Sequence, residues 1–206
     1  MEIIKSKRVM IRKLTIEDVF EMVKWGVHTD PLYFDYNFPK LKDEEAKEWF
    51  KIKNQSKNKK CFGIFNEEKR IIGYLSIKNI TKFTKTSTLG IVLDPKHINK
   101  GYGTEAIKIF LEYYFYKLKM KTMYLDVAKF NKRAINCYTK CGFTKIGESK
   151  QKLKIQVSNF QDIIDKTDME YFYIDKKKKK LYSYLYKMKI SKASYQANRQ
   201  NNTNNK

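Results

Sequence analysis

The run Asp94-Pro95-Lys96-His97-Ile98-Asn99-Lys100-Gly101-Tyr102-Gly103-Thr104-Glu105-Ala106 has the composition of an anion cradle. An alternating apolar stretch (Leu89, Ile91, Leu93) ends at Asp94-Pro95, a loop with two glycines follows, and an amphipathic segment begins. The first amides of a helix lack intrahelical partners, and the helix dipole places partial positive charge at the same end. Gly101 and Gly103 let the backbone approach a phosphate that a Cβ would hold off, and Lys100 adds a full charge. Two familiar phosphate loops are excluded. No Gly-Lys-Ser/Thr follows at P-loop spacing, and no third glycine completes Gly-x-Gly-x-x-Gly, because Ala106 stands there. Alanine is a permitted variant at that place, but this loop falls mid-chain after hairpin-like strands, not in a first βαβ unit.

A second block carries the rest of the chemistry: Leu125-Asp126-Val127-Ala128-Lys129-Phe130-Asn131, then Ala134-Ile135-Asn136-Cys137-Tyr138, then Cys141-Gly142-Phe143. Together the two blocks resemble the GNAT superfamily of acetyl-CoA-dependent N-acetyltransferases, closest in flavour to the ribosomal-protein N-terminal (Rim-type) branch. That family carries an Arg/Gln-x-x-Gly-x-Gly/Ala pyrophosphate loop, then Asn-x-x-Ala-x-x-x-Tyr on a helix and Gly-Phe opening the next strand. The resemblance is strong over about residues 86–148 and fainter from residue 8. One position departs from the pattern. The loop opens with Ile98 in place of Arg or Gln, which loses a side-chain contact but leaves the backbone cradle.

The resemblance implies acetyl-CoA as co-substrate, held by Val92, Leu93, Ile98, Asn99, Lys100, Gly101, Tyr102, Gly103, Thr104 and Asn131, with no metal. It implies that a backbone N–H at Val92 or Leu93 polarises the thioester carbonyl, and that Tyr138 protonates the departing thiolate. In the Rim-type branch a strand glutamate serves as general base, and Asp126 stands at the matching place, one methylene shorter. Each role has a plainer competitor. Tyr138 is one of fifteen tyrosines, Asn131 suits a helix N-cap, and Asp126 could be a solvated strand carboxylate. His97 reads as a surface residue or phosphate neighbour. His28 reads as a helix-end residue, with a part in acceptor binding as the other reading because it borders an aromatic loop.

The elements that must position these groups are legible in outline. Arg8–Leu14 alternates as a strand, and Thr15-Ile16-Glu17-Asp18 is a capping box before a helix that runs to Gly26. A loop rich in aromatics follows (Tyr33, Phe34, Tyr36, Phe38), and a second helix starts near Asp43. Cys61–Phe65, Ile71–Ile77 and Thr86–Leu93 read as strands. The helix after the glycine loop shows an apolar face of Ala106, Ile107, Phe110, Leu111, Tyr114 and Leu118. Met123–Val127 is a strand, a helix opens at Asn131, and further strands start at Phe143 and near Met169; Ser149–Lys166 has no clear assignment. The fold class is α+β: a mixed, largely antiparallel sheet with helices on both faces. The resemblance adds a parallel strand pair that splays into a V for the pantetheine arm.

The chain divides on composition into residues 1–175, a GNAT-like domain, and 176–206, a basic tail with ten Lys/Arg and no Asp/Glu. From about Ser191 the tail reads as low-complexity and disordered; Leu181–Tyr186 is apolar enough to dock as a strand or a short helix. The net charge of +22 raises the prospect of weak RNA or ribosome association through the tail, although only five of the 44 basic residues are Arg. Cys61, Cys137 and Cys141 are an odd set without a secretory signal or a membrane-length apolar run, which implies free thiols and a cytoplasmic setting. The acceptor is expected to be an amine on the side of Trp25–Trp49, where Asp30, Asp35, Asp43, Glu44, Glu45 and Glu48 could draw a cation; the plainer reading is a polar loop and a helix N-terminus that favours acids. A protein N-terminus ranks first, because the positive chain repels free polycations; a polyamine or small amine is the next reading. The contrasting class is an acyl-CoA-binding or RNA-associated protein that turns nothing over.

Overall fold

The computed structural model describes residues 3–54, 56–153, 169–175 and 180–204. Its strands are β1 (Ile4–Lys5), β2 (Met10–Lys13), β3 (Lys60–Phe65), β4 (Ile71–Thr81), β5 (Thr86–Leu93), β6 (Thr122–Ala128), β7 (Thr144–Lys152), β8 (Phe172–Asp175) and β9 (Lys180–Ser191). They form one sheet in the order β1-β2-β3-β4-β5-β6-β9-β7, and β8 also pairs with β9. The helices are α1 (Ile16–Met22), α2 (Asp43–Asn54), α3 (Tyr102–Glu112), α4 (Lys132–Lys140) and α5 (Lys192–Asn204). All described neighbours are antiparallel except β5 and β6. The architecture is the mixed α+β fold that the sequence pattern predicts.

The parallel pair is short. Thr86–Thr88 pairs with Thr122–Tyr124, and beyond that point the strands part. β5 stays with β4 up to Leu93 opposite Gly73, while β6 stays with β9 up to Ala128 opposite Leu185. The result is a V that opens toward the glycine loop. Its closed end is pinned by a buried phenol: Ser87 Oγ donates to Tyr114 Oη at 2.9 Å, and Tyr114 Oη donates to the Thr122 carbonyl at 2.7 Å.

Two apolar layers cover the sheet. On one face α3 lays down Ala106, Ile107, Phe110 and Leu111 against Ile11, Ile64, Leu75, Met123, Leu125 and Val127. On the other, α1 and α2 bury Val19, Met22 and Ala46 with Leu14, Trp25, Phe38 and Cys61. The capping box at Thr15 forms as its sequence predicts. Asp18 also takes both guanidinium nitrogens of Arg12, at 2.6 and 2.8 Å, so β2 and α1 are locked together. A third cluster, Ala128, Phe130, Leu153, Phe172, Leu181 and Leu185, receives Tyr33 and Tyr36 from the aromatic loop at the far end of the V.

The boundary expected at residue 175 does not survive. β9 lies inside the sheet, between β6 and β7. Its first half buries Leu181, Ser183 and Leu185, and its second half buries Met188 and Ile190. The buried positions switch from odd to even numbers because the two halves face different clusters, on opposite sides of the sheet. A single alternating pattern is therefore missing, and lysines and tyrosines fill the remaining places.

The disorder expected from Ser191 is also overturned. α5 follows at once, with Ser191 and Ser194 capping each other, Tyr195 against Phe115 at 5.2 Å, and Arg199 paired with Glu112 at 3.1 Å. Tertiary contacts outweigh the weak local propensity. Within the unassigned stretch, β7 continues to Lys152, and residues 154–168 lie outside the described residues. Lys176–Lys179, most of the lysine run on which an RNA contact was expected, lie outside them too.

Candidate active site

The glycine loop adopts the geometry its sequence requires. Asn99 (φ 61) and Gly101 (φ 83) both take left-handed backbone, and Gly101 is the residue from which α3 starts. Gly103 sits in the first turn, where a Cβ would come within 3.2 Å of Leu93 Cδ1. The first turn of α3 thus packs closely on the end of β5, with its leading amides at the loop, which fits a pyrophosphate.

The loop is braced from outside. Asp94, nearly buried, accepts from Lys96 N and from Gly26 N, each at 3.1 Å, and lies 3.2 Å from His97 Nδ1. His97 is thereby spent on the loop's own scaffold. Arg8 donates from Nε to Glu105 Oε2 at 2.9 Å and from Nη1 to the Lys100 carbonyl at 3.1 Å, which ties β2's entry to the first turn of α3. Arg8 is far away in sequence, and only the fold reveals this contact.

α4 forms the opposite wall. Asn131 caps it, accepting from Ala134 N at 3.1 Å, and is bonded to the Tyr36 phenol from the aromatic loop. Successive turns then bring Ala134, Cys137 and Tyr138 to the loop side. Tyr138 is buried and stands edge-on to Phe143 at 5.9 Å. Burial pushes its phenol well above the ordinary value, so it keeps its proton at neutral pH. The Cys137 thiol is shifted down from the usual cysteine value by a hydrogen bond from Cys141, aided by Thr104 Oγ1 at 3.2 Å; the Cys141 thiol is pushed up.

Between these walls runs a cleft of about 340 Å³. Of the residues singled out in the sequence it is lined by Val92, Leu93, Ile98, Asn99, Gly101, Gly103, Thr104, Asn131 and Tyr138. Three others lie outside its lining. Tyr102 turns its hydroxyl to Glu67 Oε2 at 3.0 Å, and Lys100 is exposed. Asp126 is exposed on β6, on the face opposite Leu125 and Val127, across from Lys187 of β9.

The cleft also takes in Tyr36, Arg133 and Lys140, to which the sequence assigned no role, together with Asn136 and Cys137 of the second block and His28 beside the aromatic loop. The spacing Asn131, Ala134, Cys137, Tyr138 would have flagged Cys137 as a wall residue. Burial, with Arg133 nearby, lowers the His28 pKa, so the ring is neutral at pH 7. The acidic residues expected near the acceptor are all exposed and absent from this lining. Asp30 caps the short helical turn Pro31–Tyr36, Glu45 caps α2 through Lys42 N, and Glu44 pairs with Lys47. Among the described residues, no helix is long and apolar enough to cross a membrane, and no group of three His, Cys, Asp or Glu could hold a metal ion.

Residues 8–144 match the family described as the acetyltransferase (GNAT) domain. The chain is 26% identical over 166 residues to the probable N-acetyltransferase YjcK of Bacillus subtilis (strain 168), covering 74% of this chain and 89% of that protein. It is 30% identical over 144 residues to acetyltransferase PseH of Campylobacter jejuni, covering 67% and 84%. A spermidine N(1)-acetyltransferase of Vibrio cholerae matches at 28% over 102 residues, covering 50% and 58%. Among solved structures, the spermidine N-acetyltransferase from Vibrio cholerae in complex with CoA and spermine superposes with a TM-score of 0.70 at 19% identity, over 92% of this chain and 99% of that one. This is a likeness of fold. The Rim-type flavour of the sequence pattern is not what these relatives carry in their names.

Proposed function

The chain belongs to the GNAT acetyltransferase family, and from that premise we propose that it transfers acetyl to a primary amine by direct attack in a ternary complex. The observation that carries this reading is the shared cleft: glycine cradle, splayed β5 end and Tyr138 all border one space.

GNAT acetyltransferases use acetyl-CoA, which supplies the acetyl group as a thioester. The amides at the start of α3, around Gly101–Thr104, would hold the pyrophosphate, and Asn131 would border the arm. Asp94 N donates to the Ile72 carbonyl of β4 at 2.9 Å. Because strand amides alternate in direction, the Val92 N–H also faces β4 and the Leu93 N–H faces the V. Leu93 is thus the better of the two expected donors to the developing oxyanion, a contact worth about 3 kcal/mol where such donors have been removed. Tyr138 donates its proton as charge builds on the sulfur. Asp126 is the weaker part of the reading. From its exposed place it could receive the amine proton only along water.

On the acceptor, the relatives named for spermidine bring polyamines into consideration, and a protein N-terminus gains no support from them. The test is release of free CoA thiol from acetyl-CoA with a panel of peptides, polyamines and small amines, run beside Tyr138→Phe. Thiol release that depends on the amine and on Tyr138 is the expected result. Stabilisation by acetyl-CoA with no release for any amine would mark a binding protein instead.

A further inference from the structure

The acceptor half of the cleft is built for negative charge. The charged residues that line the whole cleft are Arg133 and Lys140, and no Asp or Glu is among them. Lys140 lies on the last turn of α4, the end whose Cys137 and Cys141 meet Thr104, and so belongs with the phosphate cradle. Arg133, on the first turn, is at the other end. Its guanidinium stands 5.8 Å from the Tyr33 ring and influences both His28 and Tyr36. It is half-buried and has no ion pair among the described residues. Asp30 and Asp35, the carboxylates that act on His28 and Tyr36, are exposed on the aromatic loop, and Asp30 is occupied as a cap; Glu170, which acts on Lys132 beside Arg133, is exposed as well. A polycation entering here would meet a cation and a neutral ring, on a chain of net charge +22.

Resting on the acetyltransferase reading above, we propose that the acceptor is a primary amine that also bears an anionic group, a carboxylate or a phosphate, which Arg133 binds. The guanidinium fork pairs with either oxyanion in a two-point contact, and the partly dry aromatic surroundings strengthen it. Tyr36 and the His28 ring supply the uncharged surface against which the rest of the molecule lies. Arg133 acts as a specificity-determining residue: its charge also reaches Cys137 and Tyr138, but its part is to hold the anion and not to move a proton.

Matched amines test this: glucosamine 6-phosphate against glucosamine for phosphate, β-alanine against β-alaninamide for carboxylate, with spermidine as the polycation. Thiol release gives kcat/KM, and calorimetry on the CoA-loaded protein gives affinity independently of turnover. In one pair the charged member should be preferred by about 10- to 100-fold, and should also exceed spermidine. That pair identifies the anion. Arg133→Met should erase the ratio through KM or Kd while leaving acetyl-CoA affinity within about two-fold; Arg133→Lys should restore part of it. Equal binding and turnover within both pairs, or a preference for spermidine, would overturn the proposal; amine-dependent thiol release would still uphold the acetyltransferase. An Arg133→Met protein that loses acetyl-CoA affinity but keeps the wild-type ratio would place the guanidinium on the cofactor, and would overturn it as well. If no amine releases thiol, the transferase reading fails, while unequal calorimetric affinities still decide for the anion.

Discussion

Ending the chain after Asp175 removes β9 and α5, and the structure gives the size of the damage. Four apolar side chains of β9 are almost fully enclosed: Leu181 (6% exposed), Leu185 (8%), Met188 (3%) and Ile190 (1%). At about 1.5–3 kcal/mol each, their burial contributes roughly 6–12 kcal/mol, somewhat less once residual burial in the unfolded chain is allowed for. That is comparable to the whole net stability of a domain, about 5–15 kcal/mol. The same cut strips β6, β7 and β8 of their common neighbour, leaving β6 with an open edge and β7 and β8 without their described sheet partner. A fragment of residues 1–175 should therefore lack a cooperative transition and fail to bind acetyl-CoA. Ending after Ser191 spares β9 and removes only α5, whose anchor is Tyr195 on Phe115; the cost should be about 1–3 kcal/mol, with a melting point lower by about 2–4 °C per kcal/mol. Urea unfolding followed by far-ultraviolet circular dichroism, with calorimetry for acetyl-CoA, separates the two. A 1–175 fragment that unfolds cooperatively near the full-length midpoint and binds acetyl-CoA would refute the reasoning.

Tyr138→Phe should lower kcat by about 10²-fold or more with acetyl-CoA affinity nearly intact; an unchanged rate removes the acid role. Gly103→Val forces side-chain atoms toward Leu93 and should abolish acetyl-CoA binding by calorimetry while the circular dichroism spectrum stays native. Cys137 should be the first thiol alkylated by iodoacetamide. The thiolate is the reactive form, so its rate should rise with pH through a midpoint below the ordinary thiol value, and acetyl-CoA should protect it. Peptide mapping after brief labelling checks this, and earlier labelling of Cys61 would contradict it. Asp126→Asn should depress the rate most at low pH, where the amine is charged; a pH–rate profile parallel to wild type returns Asp126 to a solvated strand position.

What could be read in the sequence was whatever is decided locally. The glycine loop, the capping box at Thr15 and the apolar face of α3 depend on residues a few positions apart, and they formed as their patterns predict. β9 was foreseen only in its first half, as a segment that could dock as a strand or a short helix, because it buries opposite faces in its two halves, which splits one strand into two short and contradictory signals among lysines. The cleft was half legible for a related reason. Asn131 and Tyr138 share a helix, but Arg8, His28 and Tyr36 reach the loop and α4 only through the closure of the sheet. The acidic residues of 30–48 left two readings open, a lure for a cationic amine or a polar loop and helix N-terminus, because sequence shows charge and not direction. Caps and i,i+3 pairing hold several of them at the surface.

The pin at the closed end of the V and the phosphate cradle are parts of one rod. Gly103, at the loop, rides on the first turn of α3, and Tyr114, bonded to Ser87 and Thr122, rides on the π-helical turn Tyr113–Lys117 that continues it, roughly 16 Å further along the axis at the usual helical rise. The helix therefore works as a gauge. It sets the distance between the point where β5 and β6 separate and the point where phosphates are held, and so fixes the length of arm that can lie between them. One residue inserted in the gauge would turn the cradle by about 100° relative to the pin, which explains why this stretch has to be stiff and filled with buried aromatics where a surface helix could be loose.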